Sequence, residues 1–319
     1  MVRRAVRFSL ALAIGAAVLA GASHQSATAA GPAPPFTPRV GHIGGIVPAP
    51  SLARSDVGPL GGGNLTWHGG SVMHTNTTYA IYWFPAGYPL SSQYSGTINQ
   101  YFQDLAADSG KQTNVYATDP QYTDSTGHAS YDSTFGGWTQ DTNSFPASGC
   151  SSGFSRCLTD VQLQTEISRV VSAHGWPRND HTEYFLFTPS GVTSCFDSFS
   201  GQCAYTYFCA YHGYSTLATG GRIVYANEPW SVPNCDEGQY PNGSGSINPA
   251  DPTINTVSHE HNEAITDPYL NAWYDDQGYE DGDKCAWIFD GYQGPYGGLY
   301  TNTIDTHNYW LQLEWDNSA

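Results

Sequence analysis

The sequence predicts an α+β domain in which about three helices pack on one mixed β-sheet, with many loops and several disulfides. Three observations carry this. Aromatic and β-branched runs at Tyr79–Phe84, Glu183–Thr188 and Gly221–Ala226 read as buried strands. Apolar residues at helical spacing recur between them. No internal repeat or second block of composition appears, so one domain is expected over residues 64–319.

Taken in order, residues 1–29 read as a secretory signal peptide. Arg3, Arg4 and Arg7 precede the apolar run Phe8–Ala22, and Ala27-Thr28-Ala29 supplies a small-residue cleavage site. Residues 30–63, rich in Pro and Gly, read as a linker or draped arm. Ile98, Tyr101, Phe102 and Leu105 recur at i, i+3, i+4 and i+7, a first helix that stops near Gly110. Residues 111–157 show no sustained period and read as a long loop. A second helix begins at the capping box Thr159-Asp160-Val161-Gln162 and ends at Gly175. A third runs from a Thr253 cap to Thr266, stopped by Pro268. Tyr309–Trp315 alternates enough to be a final strand.

Composition narrows the function. Without residues 1–29 the chain keeps eight basic against 28 acidic residues, a formal charge of −20. That field repels nucleic acid and anionic membrane surfaces, so neither is an expected partner. An extracellular location is expected, and there the seven cysteines should largely be paired, Cys150 with Cys157 first. Cys195, Cys203 and Cys209 with His212 also have spacing suited to structural zinc, a reading that export disfavours. Asn64, Asn76 and Asn242 open glycosylation triplets.

The third helix carries the chemistry. His259 and Glu263 are four residues apart and share a face, whereas His261 falls in the apolar stripe of Ile254, Val257, Ala264 and Ile265. The pattern His259-Glu260-x-x-Glu263 is the zinc-peptidase helix motif with its second histidine replaced by a carboxylate, itself an acceptable zinc ligand. The fold expectation is therefore zincin-like. Glu260 stands where a general base would take a proton from an acidified water. A further ligand would come from Glu280, Asp281 or Asp283, and His307 or Tyr309 would stabilise an oxyanion. Asp275, Asp276, Asp281 and Asp283 with Gly278 and Gly282 also suit a structural calcium loop.

Several motifs in order resemble the phosphate-induced protein 1, or EXORDIUM-like, family: Trp67–Val72, Tyr184–Thr188, Cys209–His212, Val257–Pro268, Asn271–Tyr274, Glu280–Cys285 and His307–Trp315. The resemblance matches His259, Glu260 and Glu263, and it favours Asp283, then Glu280, over Asp281 as further ligands. It implies a secreted protein and brings no settled activity. Two functions follow as expectations. One is a metal-dependent hydrolase acting on peptide, with zinc as cofactor. The other is a non-catalytic extracellular protein that contacts wall polymer and holds a structural ion.

Overall fold

Two of the three predicted strands are buried on both faces, which explains their unbroken apolar character. The computed structural model describes residues 39–53, 60–216 and 221–318. The expected signal peptide lies outside the described residues. Six strands form the main sheet: β1 (Ile43–Pro48), β2 (Asn76–Trp83), β3 (Ser133–Asp141), β4 (Thr182–Phe187), β5 (Phe208–Thr216) and β6 (Arg222–Glu228). Their spatial order is β1-β5-β6-β4-β2-β3. β3, β2, β4 and β6 run parallel, while β5 lies antiparallel to β6 and β1 antiparallel to β5. The sheet is mixed, as expected.

Period-two alternation sorts the strand residues into two cores. Ala80, Tyr82, Phe185, Phe187, Val224 and Ala226 face helices α1 (Ser92–Ala107) and α3 (Ala250–Thr266). Tyr79, Ile81, Trp83, Tyr184, Leu186 and Tyr225 face helix α2 (Asp160–His174). Helix α2 starts with the predicted capping box and ends at Gly175 in the left-handed conformation (φ 64°).

Four expectations are corrected. Residues 43–48, read as linker, form edge strand β1. The segment 111–157 is no plain loop: it holds a 3-10 turn at Val115–Gln121, edge strand β3 and the short strand Arg156–Thr159. β3 carries a bulge opposite Thr78–Tyr79, where a side chain at Gly136 would meet the Tyr79 ring at 2.2 Å. Helix α3 begins at Ala250, so Thr253 lies inside it and its hydroxyl donates to the Pro249 carbonyl. Pro252 is tolerated because the first turn needs no intrahelical N–H. At the C-terminus the ladder covers only His307–Tyr309 against Asn302–Ile304. The backbone beyond it bonds to Thr301, Ile288 and Asp281 instead.

Three disulfides join Cys150 to Cys157, Cys195 to Cys203 and Cys209 to Cys235, leaving Cys285 as a buried free thiol. The Cys/His zinc alternative is thereby excluded, since its three sulfurs are oxidised. These bridges fit an extracellular protein. Among the described residues no helix is long and apolar enough to cross a membrane. Asn76 is buried at the start of β2 and is not an accessible glycosylation site.

A candidate metal centre under the edge strand

Every residue of α3 is buried. Its apolar stripe faces the sheet, and its polar side is covered by β1, β5, the C-terminal stretch and a helical turn, α4 (Asp281–Lys284). This roof brings distant residues onto the motif. Glu280 caps α4 in a capping box with Asp283. Asp283 lies in that turn with its Oδ1 3.7 Å from His259 Nε2, while Glu263 Oε1 is 3.1 Å from the same nitrogen. From β5, His212 places Nδ1 3.5 Å from Glu260 and 3.6 Å from Glu263, and Nε2 3.8 Å from Glu280.

The cluster is short of hydrogen-bond partners. His212 Nδ1, His259 Nε2, both oxygens of Glu260, Glu263 Oε2, Glu280 Oε2 and Asp283 Oδ1 are all buried without one. Buried polar atoms are ordinarily satisfied, and an unpaired buried carboxylate is among the most costly features a fold can carry. A cation is the species that would satisfy nitrogen lone pairs and carboxylate oxygens together. Ligand atoms about 2.1 Å from a tetrahedral ion lie about 3.4 Å apart, which matches the separations around His259. Donor atoms of His259, Glu260 and Glu263 fall within 4.8 Å of one another, as do those of His212, Glu263 and Glu280. These groupings could hold a metal ion.

The electrostatics follow from crowding. Burial raises Glu260 well above the carboxylate range, and Glu263 adds to it. Burial alone would raise Glu263, yet His259 and His212 hold it down at about 2. Burial would depress His259, but Glu263 and Asp283 outweigh it and push the imidazole up to about 10. Asp283 rises to about 6, from burial first and then Glu263. In proton terms the cluster is therefore a strained set of acids around one ion pair.

The surrounding residues orient the ligands. Gln312 meets His259 Nδ1 at 2.8 Å and also bonds Gly282 and Trp287. The amide is itself fixed, since Nε2 donates to the Gly282 carbonyl and Oε1 accepts from the Trp287 N–H, so it holds the His259 ring in place. Arg39 bridges Asp267, Glu280 and the Leu270 carbonyl, neutralising part of the acidic rim. Gly44 pairs with His212, and Gly45 is the bulged residue beside it. A Cβ at Gly45 would sit 1.9 Å from Glu263 Oε2 and 2.2 Å from His212 Nδ1, so only glycine permits this approach.

The predicted set divides. His259, Glu260, Glu263, Glu280 and Asp283 come together. Tyr309 and His307 do not join them: both bind Asp104 of α1, so the oxyanion role has no geometric basis. The calcium loop is not assembled either. Asp275 is committed to Lys284 and to the Gly62, Gln277 and Tyr279 amides, and Asp276 is exposed. Sequence reasoning placed His212 only in the Cys/His alternative and did not single out Gln312, Arg39 or Gly45. No family model, curated protein or solved structure matches the chain.

Proposed function

We propose that this chain is an extracellular metal-dependent hydrolase of extended peptides, held in a covered state by its own edge strand. The observation that carries the reading is the convergence of unpartnered, buried His259, Glu260, Glu263 and Asp283 atoms beneath β1. The donor set of imidazole and carboxylate suits zinc, whereas calcium takes oxygen ligands and would leave the histidines unexplained. Such an ion, when bound, acidifies a water and polarises a carbonyl. Glu260, adjacent to the ligand His259 and raised by burial, is the group to accept the proton from water and return it to the leaving amine.

The substrate class rests on β1. Edge strands accept extended peptides by antiparallel pairing, and β1 lies on β5 in that manner with its Gly44–Gly45 backbone against His212 and Glu263. An extended peptide would take the same place once β1 is withdrawn. Arg39, tied to Asp267 and Glu280, anchors β1. The motif resemblance to the EXORDIUM-like family is compatible with export and belongs to this proposal.

Complete burial of the cluster favours a second reading, a non-catalytic extracellular binding protein with a structural ion. The two separate on metal content and hydrolysis of an unstructured peptide mixture by the full chain, with and without Arg39→Ala to loosen β1. The hydrolase reading expects zinc in the wild type and in Glu260→Gln, loss of zinc in His259→Ala, and turnover that rises in Arg39→Ala and vanishes when Glu260→Gln is added. Zinc without turnover in Arg39→Ala supports the structural ion. A wild-type chain that takes up no zinc at all sinks the hydrolase.

A further inference from the structure

We propose that the buried cluster is a two-cation centre in which Glu263 is the bridging carboxylate and His212 is the histidine ligand of the second ion. The inference rests on the metal-dependent reading above but adds a site to it. Glu263 presents its two oxygens to different partners. Oε1 faces His259 Nε2 at 3.1 Å and accepts the Asp283 amide at 2.7 Å, whereas Oε2 faces His212 Nδ1 at 3.6 Å and has no hydrogen-bond partner. A carboxylate placed between two imidazoles in this way is set up to join two ions.

His212 is oriented as a ligand. Its Nε2–H donates to the Asp267 carbonyl at 3.4 Å, which leaves Nδ1 as the bare nitrogen. That lone pair points at Glu260 Oε2 and Glu263 Oε2 from 3.5 and 3.6 Å. The 3.6 Å between Nδ1 and Glu263 Oε2 suits two atoms sharing one ion, with Glu260 left beside them as the proton acceptor. Glu280 Oε2 is also unpartnered, while its Oε1 is occupied by Arg39. Gly45 contributes by absence: any side chain there would fill the space between His212 Nδ1 and Glu263 Oε2.

Charge points the same way. Glu260, Glu263, Glu280 and Asp283 are fully buried together, and Arg39 reaches only Glu280 among them. With all four ionised, one divalent ion would leave this buried group negative, and a second would balance it. The competing explanation is a protonated His212 paired with Glu260 and Glu263.

The test uses the full chain, stripped with chelator and dialysed to equilibrium against Zn2+, with metal per chain counted by mass spectrometry. Two ions per chain are expected for the wild type and one for His212→Gln. Mn2+-loaded wild type should give the magnetic resonance signal of a coupled pair, and His212→Gln that of an isolated ion. Should His212→Gln fail to fold, Glu280→Gln replaces it, with the expectation of one ion or a second held at least tenfold more weakly. A single ion per chain, unchanged in the variants, overturns the two-cation centre and spares the hydrolase. An empty wild-type chain overturns both.

Discussion

His259 and His261 stand two residues apart on one helix, both fully buried, and they meet opposite surroundings. His261 is complete. It bonds the Tyr116 hydroxyl at 3.1 Å and Asn76 Oδ1 at 3.0 Å, and Phe185 packs against its ring edge-on. Burial with no acid beside it pulls its pKa down to about 3. His259 faces Glu263 and Asp283, each of which keeps one buried oxygen without a partner. Burial alone thus says little about role. A buried histidine whose neighbours are satisfied is structural, and one whose neighbours are not is waiting for something.

The largest expected effect is on the His259 side. His259→Ala should abolish bound metal and any hydrolysis, whereas His261→Ala should keep the metal and lose about 2–4 kcal/mol in denaturant unfolding, from the cavity and the stranded Tyr116 and Asn76 groups. Equal metal loss in both variants would erase the distinction. Next comes chelation. Removing an ion present at a thousandfold excess over its Kd should lower stability by about 4 kcal/mol, visible as a fall in melting temperature.

The two histidines should also separate by pH. For His259 in the stripped chain, the folded pKa of about 10 lies above the ordinary 6.5. The folded state then holds the extra proton, so this stabilisation is full below about 6.5 and is lost as pH rises through 10. His261 has the reverse sign. Its folded pKa of about 3 lies below 6.5, so the unfolded chain binds the proton first and stability falls as pH drops from 6.5 towards 3. Unfolding of the stripped chain across pH should show both limbs. His261→Gln should shrink the acid limb, leaving the part below about 4.5 that Glu263, held at about 2, contributes, and zinc should suppress the alkaline one.

Smaller effects test the supports. Gln312→Ala should weaken metal binding by about 10- to 100-fold with the fold retained, measured by competition with a chelating dye. Tyr116→Phe should cost about 1 kcal/mol and leave metal affinity unchanged.

Much of this was legible. The pair His259 and Glu263 follows from the turn of a helix, the dismissal of His261 from its apolar phase, and α2 from its capping box. What escaped depends on contacts that no local pattern encodes. The glycines of β1 read as linker because a close approach to His212 and Glu263 looks, in sequence, like flexibility. His212 was hidden because the cysteines around it suggested a site of their own. The alternation expected at Tyr309–Trp315 does not hold: Tyr309 to Gln312 are buried in succession, Gln312 turns inward to His259, and the backbone leaves the ladder.

Cys285 gives the centre a built-in reporter. This thiol sits one turn of chain beyond Glu280 and directly after α4, and burial pushes its pKa up to about 12. Buried and held as a thiol, it should react slowly with a maleimide or disulfide reagent until that part of the roof opens. Its labelling rate under native conditions clocks how often the lid over the histidines lifts, and comparing stripped with zinc-loaded chain converts metal occupancy into a rate that needs no substrate.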